Sequence, residues 1–154
     1  MFTAFPRSNI GSWSPICFAI CAELDDLVNY LLPMFPHVNS IFADGSTCLT
    51  VAASCNRVDV ARMLLNQGAT VNLPTTSQRA TPLHLAAESA GEEVFDLLIE
   101  AGADFHARSL KRTTPFYQAC RGGSVYIVRR LKLWPATNQI RFMGENRAIG
   151  HKNG

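Results

Sequence analysis

The chain has 154 residues, 47% of them hydrophobic and 17% charged, which allows one continuous core and excludes a disordered composition. No stretch approaches the length of a transmembrane helix. A formal net charge of +2 hides a division: residues 1–107 carry 11 acidic against 4 basic side chains, a balance of −7, and residues 108–154 carry 10 basic against 1 acidic, a balance of +9.

Residues 1–13 place Phe2, Phe5, Ile10 and Trp13 among Pro, Gly, Ser and Asn. Arg7, Pro6 and Gly11 interrupt any secretion signal. Two readings stay open for this segment, a lid over the unit that starts near residue 14 or disorder.

From Ser14 onward a pattern repeats. Ser14-Pro15-Ile16-Cys17-Phe18-Ala19-Ile20 is followed by Thr47-Cys48-Leu49-Thr50-Val51-Ala52-Ala53, then Thr81-Pro82-Leu83-His84-Leu85-Ala86-Ala87, then Thr114-Pro115-Phe116-Tyr117-Gln118-Ala119-Cys120, at spacings of 33, 34 and 33 residues. A Thr or Ser before Pro predicts a helix N-cap followed by a first-turn proline, where a missing N–H costs nothing. Small pairs such as Ala52-Ala53 and Ala86-Ala87 let neighbouring helices approach closely. A second helix is predicted in each unit from Val60, Met63, Leu64 and Leu65, or Val94, Phe95, Leu98 and Ile99, at the spacing of one buried face. Gly68 and Gly102 then stand where a C-cap needs positive φ. The first unit keeps Val28, Leu31, Leu32 and Asn39 but has Phe35-Pro36 in place of the Gly-Ala pair. The last unit closes on Arg129-Arg130-Leu131-Lys132-Leu133-Trp134 before Pro135, and residues 134–154 read as a cap or a frayed tail.

These phased copies resemble the ankyrin-repeat family, whose signature is a 33-residue period opening on Thr-Pro-Leu-His-x-Ala. The resemblance covers roughly residues 14 to 133. It implies an all-α repeat protein, a stack of about four helix-turn-helix units linked by short β-hairpin loops, with units starting near 14, 47, 81 and 114. Each unit buries little alone, so stacking supplies the core.

Little in the chain reads as catalytic chemistry. The family's counterpart of His84 ties neighbouring units through backbone hydrogen bonds, and the resemblance implies that role here. His37, His106 and His151 are too scattered for a triad or metal site. Cys17 and Cys21, four apart on one helix, lack further ligands at useful spacing, so no metal and no cofactor are expected. Five cysteines, an odd number, suit a reducing compartment rather than a disulfide framework. Glu92, Glu93 and Asp96 fit the favourable start of a helix. Gly122-Gly123 lacks the spacing of a phosphate loop. An enzyme is therefore not expected, and the cytosol, with the nucleus open, is the expected location.

The resemblance further implies a protein-binding scaffold or adaptor that uses hairpin tips and the concave face of its first helices. Repeat position selects Asp44 and Ser46, Arg79, and Lys111, Arg112 and Thr113 at the tips, with Glu88, Tyr117 and Arg121 on first helices. Phe116, replacing the usual Leu, reads as core, while Tyr117 replaces the signature His and leaves the inter-repeat bonding of its unit in doubt. Such a surface ends basic and suits another protein or peptide of acidic character. A monomer is expected unless an exposed end of the stack self-associates. A second reading uses Arg129, Arg130 and Lys132, with Arg141, Arg147 and Lys152, for nucleic acid or an anionic surface; no nucleic-acid-reading motif supports it. A third takes the chain as a recruitment domain of a larger enzyme. By family position, Asn72 and His106 are candidates for asparaginyl-hydroxylase-type modification, each with a Leu eight residues earlier, Leu64 and Leu98.

Overall fold

A computed structural model describes residues 14–35 and 37–133. The lid and tail readings of residues 1–13 and 134–154 lie outside these described residues. Four helix pairs follow one another: α1 (Pro15–Cys21) with α2 (Asp25–Leu31), α3 (Cys48–Ser54) with α4 (Val58–Asn66), α5 (Pro82–Glu88) with α6 (Glu92–Glu100), and α7 (Pro115–Gly122) with α8 (125–133). A short 3-10 turn, Leu32–Met34, extends the first pair. The first helices pack in sequence, α1 on α3, α3 on α5 and α5 on α7, and α4 packs on α6.

The helix starts follow from side-chain chemistry. Thr47 accepts from the Thr50 amide at 3.2 Å, and Thr114 from the Tyr117 amide at 3.4 Å. Prolines 15, 82 and 115 occupy first-turn positions. Within each pair the chain reverses through one left-handed residue, Glu23, Asn56, Ala90 or Gly123. Gly68 and Gly102, at φ +88° and +91°, end the second helices of the middle units as their spacing predicts.

The core runs along the stack. Ile16, Leu49, Leu83, Leu64, Phe95, Leu98 and Ile127 are buried, and Ala52, Ala53, Ala86, Ala87 and Ala119 have no exposure at all. A Cβ on Gly122 would lie 2.6 Å from the Glu88 carbonyl oxygen and 2.7 Å from that of Ala87. Only glycine lets α7 come this close to α5.

Phe116 departs from its expected core position and is 43% exposed. Leu49 and Leu83 occupy the same slot in units two and three, where the next unit covers them. No further unit lies beyond Phe116 among the described residues.

The predicted hairpin loops are closed turns; no residue is assigned to a strand among those described. Each tip is shut by two main-chain bonds, Phe42 N to Ser46 O at 2.9 Å with Gly45 N to Phe42 O at 2.8 Å, Thr75 N to Ala80 O at 2.9 Å with Arg79 N to Thr75 O at 2.9 Å, and Ser109 N to Thr113 O at 3.0 Å with Arg112 N to Ser109 O at 2.9 Å. That is too little pairing for a strand. Neighbouring tips are joined instead, Thr76 N donating to Gly45 O at 3.0 Å and Leu110 N to Gln78 O at 2.7 Å.

Polar side chains also cross the unit boundaries. The Asn39 amide oxygen accepts from Thr70 N at 2.7 Å, and that of Asn72 from Asp104 N at 2.8 Å. Glu92 accepts from the Ser124 hydroxyl at 3.0 Å, and Asp96 accepts from Arg130 at 3.1 Å and from the Tyr126 hydroxyl. Glu92 and Asp96 therefore bridge units three and four; Glu92 and Glu93 stand in the first turn of α6 as expected, whereas Asp96 lies past it, in the middle of the helix.

Candidate partner-binding surface

Three consecutive tips carry most of the predicted site. In the first, Asp44 accepts from the Ser46 amide at 3.1 Å and its hydroxyl at 2.7 Å, so both side chains are occupied in shaping the turn. Gly45 then takes φ +80°, packed so closely on Thr76 that no side chain fits. The equivalent residues of the next tips are Arg79 and Arg112, at φ +52° and +59°. A left-handed arginine is disfavoured by backbone sterics, yet it recurs in two successive units.

Arg79, Lys111 and Arg112 are exposed. Their side chains have no hydrogen-bond or ion-pair partner among the described residues. The main-chain bond from Leu110 to Gln78 holds their two tips side by side. Thr113 is half-buried and has a different duty: its carbonyl accepts from His84 Nε2 at 2.9 Å.

On the first helices, Arg121 Nη1 lies 3.8 Å from Glu88 Oε1, with both side chains about half exposed. That contact partly neutralises each and is worth only about 0.2–1 kcal/mol in such solvent. Tyr117 is 51% exposed. Where His84 reaches the next unit, Tyr117 contributes only its backbone N–H to Thr114. The tips and first helices are thus adjacent on the stack, but Asp44, Ser46 and Thr113 are engaged within it.

Repeat spacing did not single out Leu110, which is 66% exposed beside Lys111. Its signal was available: the equivalent tip positions hold Ala43 and Ser77, so a large apolar residue there is out of pattern.

The other candidates fall elsewhere. Asn72 and His106 are exposed at unit boundaries; the Asn72 amide also donates to Gly102 O at 3.4 Å, and the His106 ring lies 4.3 Å from Phe105. A shallow hollow of about 180 Å³ is lined by His106 with Phe105, Thr114, Phe116 and Leu131. No carboxylate is among these. Of the alternative basic cluster, Arg129 and Lys132 are exposed but Arg130 is paired with Asp96, and Arg141, Arg147 and Lys152 lie outside the described residues. No described helix is long and apolar enough to cross a membrane.

A stack of capped helix pairs joined through their tips and a buried signature histidine defines a class of repeat protein. Residues 16–109 match the family described as "Ankyrin repeats (3 copies)", and the chain belongs to that family. Ankyrin repeats generally mediate protein–protein interaction and are generally non-enzymatic. The human Ankyrin repeat and SOCS box protein 16 is 35% identical over 145 residues, covering 67% of this chain and 32% of that protein. An ankyrin repeat protein of Fowlpox virus (strain NVSL) is 27% identical over 142 residues, covering 90% of this chain and 42% of its own length. The human 2-5A-dependent ribonuclease, named as an enzyme, is 40% identical over 68 residues, 44% of this chain and 9% of that protein. The chain thus spans well under half the length of each.

Proposed function

We propose that this chain is a non-catalytic interaction scaffold that binds an acidic segment of a partner protein across the tips of units three and four and the adjoining first helices. The observation that carries this reading is the exposed trio Arg79, Lys111 and Arg112, without partners among the described residues, on two tips joined by a main-chain bond. Partner carboxylates would supply the missing charge, and bidentate contact suits the two arginines. Tyr117, exposed on the first helix of unit four, adds an aromatic side chain of a type enriched among interface anchors. Asp44 and Ser46 shape the first tip, and Glu88 tempers Arg121. A cytosolic or nuclear setting fits the reading. Hydroxylation of Asn72 or His106 remains a separate proposal, checked by mass spectrometry for one added oxygen in protein from its native host.

The test compares proteins captured from source-cell extract by the wild type and by Arg79→Glu/Lys111→Glu/Arg112→Glu. The tips are exposed, so the variant keeps its fold by circular dichroism and loses the main partner. An identical captured set from the folded variant refutes the placement of the site.

A further inference from the structure

Among the described residues, each end of the stack leaves open a slot that the inner joints fill. Leu27 of α2 corresponds by repeat spacing to Val60, Val94 and Ile127. Those three follow a preceding unit and are at most 2% exposed, whereas Leu27 is 39% exposed. At the other end, Phe116 corresponds to Ile16, Leu49 and Leu83, which a following unit covers. Leu24 and Tyr30 stand three residues to either side of Leu27, on its face of the helix, and are exposed too. On unit four, exposed Val125 and half-buried Val128 line a shallow groove of about 460 Å³ between α7 and α8, with Arg129 and Lys132 at its rim.

The joint between units three and four shows what such a face receives. There Glu92 accepts from Ser124, and Asp96 accepts from Tyr126 and Arg130. One period later, the outer face of unit four holds Val125 in the place of Glu92 and Arg129 in the place of Asp96. Three periods before unit four, the outer face of unit one holds Leu24 in the place of Ser124, Asp26 in that of Tyr126 and Tyr30 in that of Arg130. Each change on one face is matched on the other. The hydrogen-bonded pair Glu92 and Ser124 becomes the apolar pair Val125 and Leu24. The acceptor Asp96 becomes the cation Arg129, and its donors become a carboxylate and a hydroxyl. Asp26 and Arg129 are both exposed and have no hydrogen bond or ion pair among the described residues. A further unit bearing the residues of unit four would instead set Arg130 against Arg129, like charge on like.

We propose that the outer face of unit four docks onto the outer face of unit one of a second copy, so that the stack continues from chain to chain. Arg129 then meets the second copy's Asp26 and Tyr30, and Val125 meets its Leu24. Burial of Phe116, Val125, Leu24 and Leu27 supplies the attraction. The ion pair at the rim adds little to it and fixes register and direction. Because the two faces differ, the contact is heterologous: each added copy leaves one face of each kind open, and association passes beyond two copies.

The test follows the weight-average mass of the whole chain by sedimentation as its concentration rises at low salt, under reductant so that the exposed Cys120 forms no disulfide. The wild type is expected to grow past twice the mass of one chain. Arg129→Glu and Asp26→Arg each place like charges in the joint and hold the mass near that of one chain, with circular dichroism unchanged because both side chains are exposed. An equimolar mixture of the two variants regains growth, since in alternating order every joint again opposes unlike charges. The proposal is overturned if the wild type keeps the mass of one chain at every concentration, the result expected where another part of the chain takes the outer faces. It is equally overturned if growth stops at a dimer, if the variants associate as the wild type does, or if mixing them restores nothing.

Discussion

His84 is fully buried and makes use of both ring nitrogens. Nδ1 accepts from the Thr81 amide at 3.2 Å while Nε2 donates to the Thr113 carbonyl at 2.9 Å, which requires the neutral ring. Burial lowers its pKa, against the backbone bonds at Thr113 and Ala107 and the charges of Asp104 and Glu88. The unfolded chain therefore binds this proton more readily than the folded one, and stability is retained above pH of about 6.5 and falls below it. His84→Gln is expected to lose about 1–3 kcal/mol at neutral pH and to show a shallower acid decline, read from thermal midpoints between neutral and mildly acidic pH. Equal slopes would contradict the buried neutral ring. Arg79 and Arg112 pose the opposite case, since the left-handed position costs an L-residue roughly 1–2 kcal/mol while glycine loses more entropy on folding. Arg112→Gly is expected to leave stability within about 1 kcal/mol and to reduce partner capture; a large loss of stability would mean the side chain supports the tip. His84 was legible through the resemblance, because Thr81-Pro82-Leu83-His84 matches the family's opening signature. Phe116 was misjudged because its burial depends on a neighbouring unit, which the phrase itself cannot specify.

At the scale of elements, α6 shows how much the period alone determines. Val94, Phe95, Leu98 and Ile99 all fall on its buried face, as their three-and-four spacing predicts. Leu98→Ala removes the centre of that face and is expected to cost about 2–5 kcal/mol, measured by chemical denaturation; a change near zero would place Leu98 outside the core. The opposite face was less legible. Asp96 reads as a helix-start carboxylate in sequence, but α8 brings Arg130 and Tyr126 onto it, a pairing set by the rise between units. The connections were legible in position, through the Thr caps and the repeat spacing, but not in their bonding. Tip-to-tip hydrogen bonds are main-chain contacts and leave no residue signature.

For the molecule as a whole, cohesion is a matter of nearest neighbours. Units two and three are covered on both sides, while α2 buries only Val28 and exposes Tyr30 at 67%. Amide hydrogens of α2 are therefore expected to exchange faster than those of α6 in native-state hydrogen exchange, and equal protection would show the stack opening as one unit. The division of charge along the sequence was visible from counting, but which charges remain available was not. Asp96 takes up Arg130 and Glu88 partly takes up Arg121, so the tip cations Arg79, Lys111 and Arg112 stay exposed, as do Arg129 and Lys132 on α8. Those tips are spliced to each other through Gly45, Thr76, Gln78 and Leu110 by backbone atoms that every amino acid except proline supplies. The joinery is consequently indifferent to what each tip displays, so new recognition could be written at positions 79, 111 and 112 as interchangeable lettering on an unchanged frame.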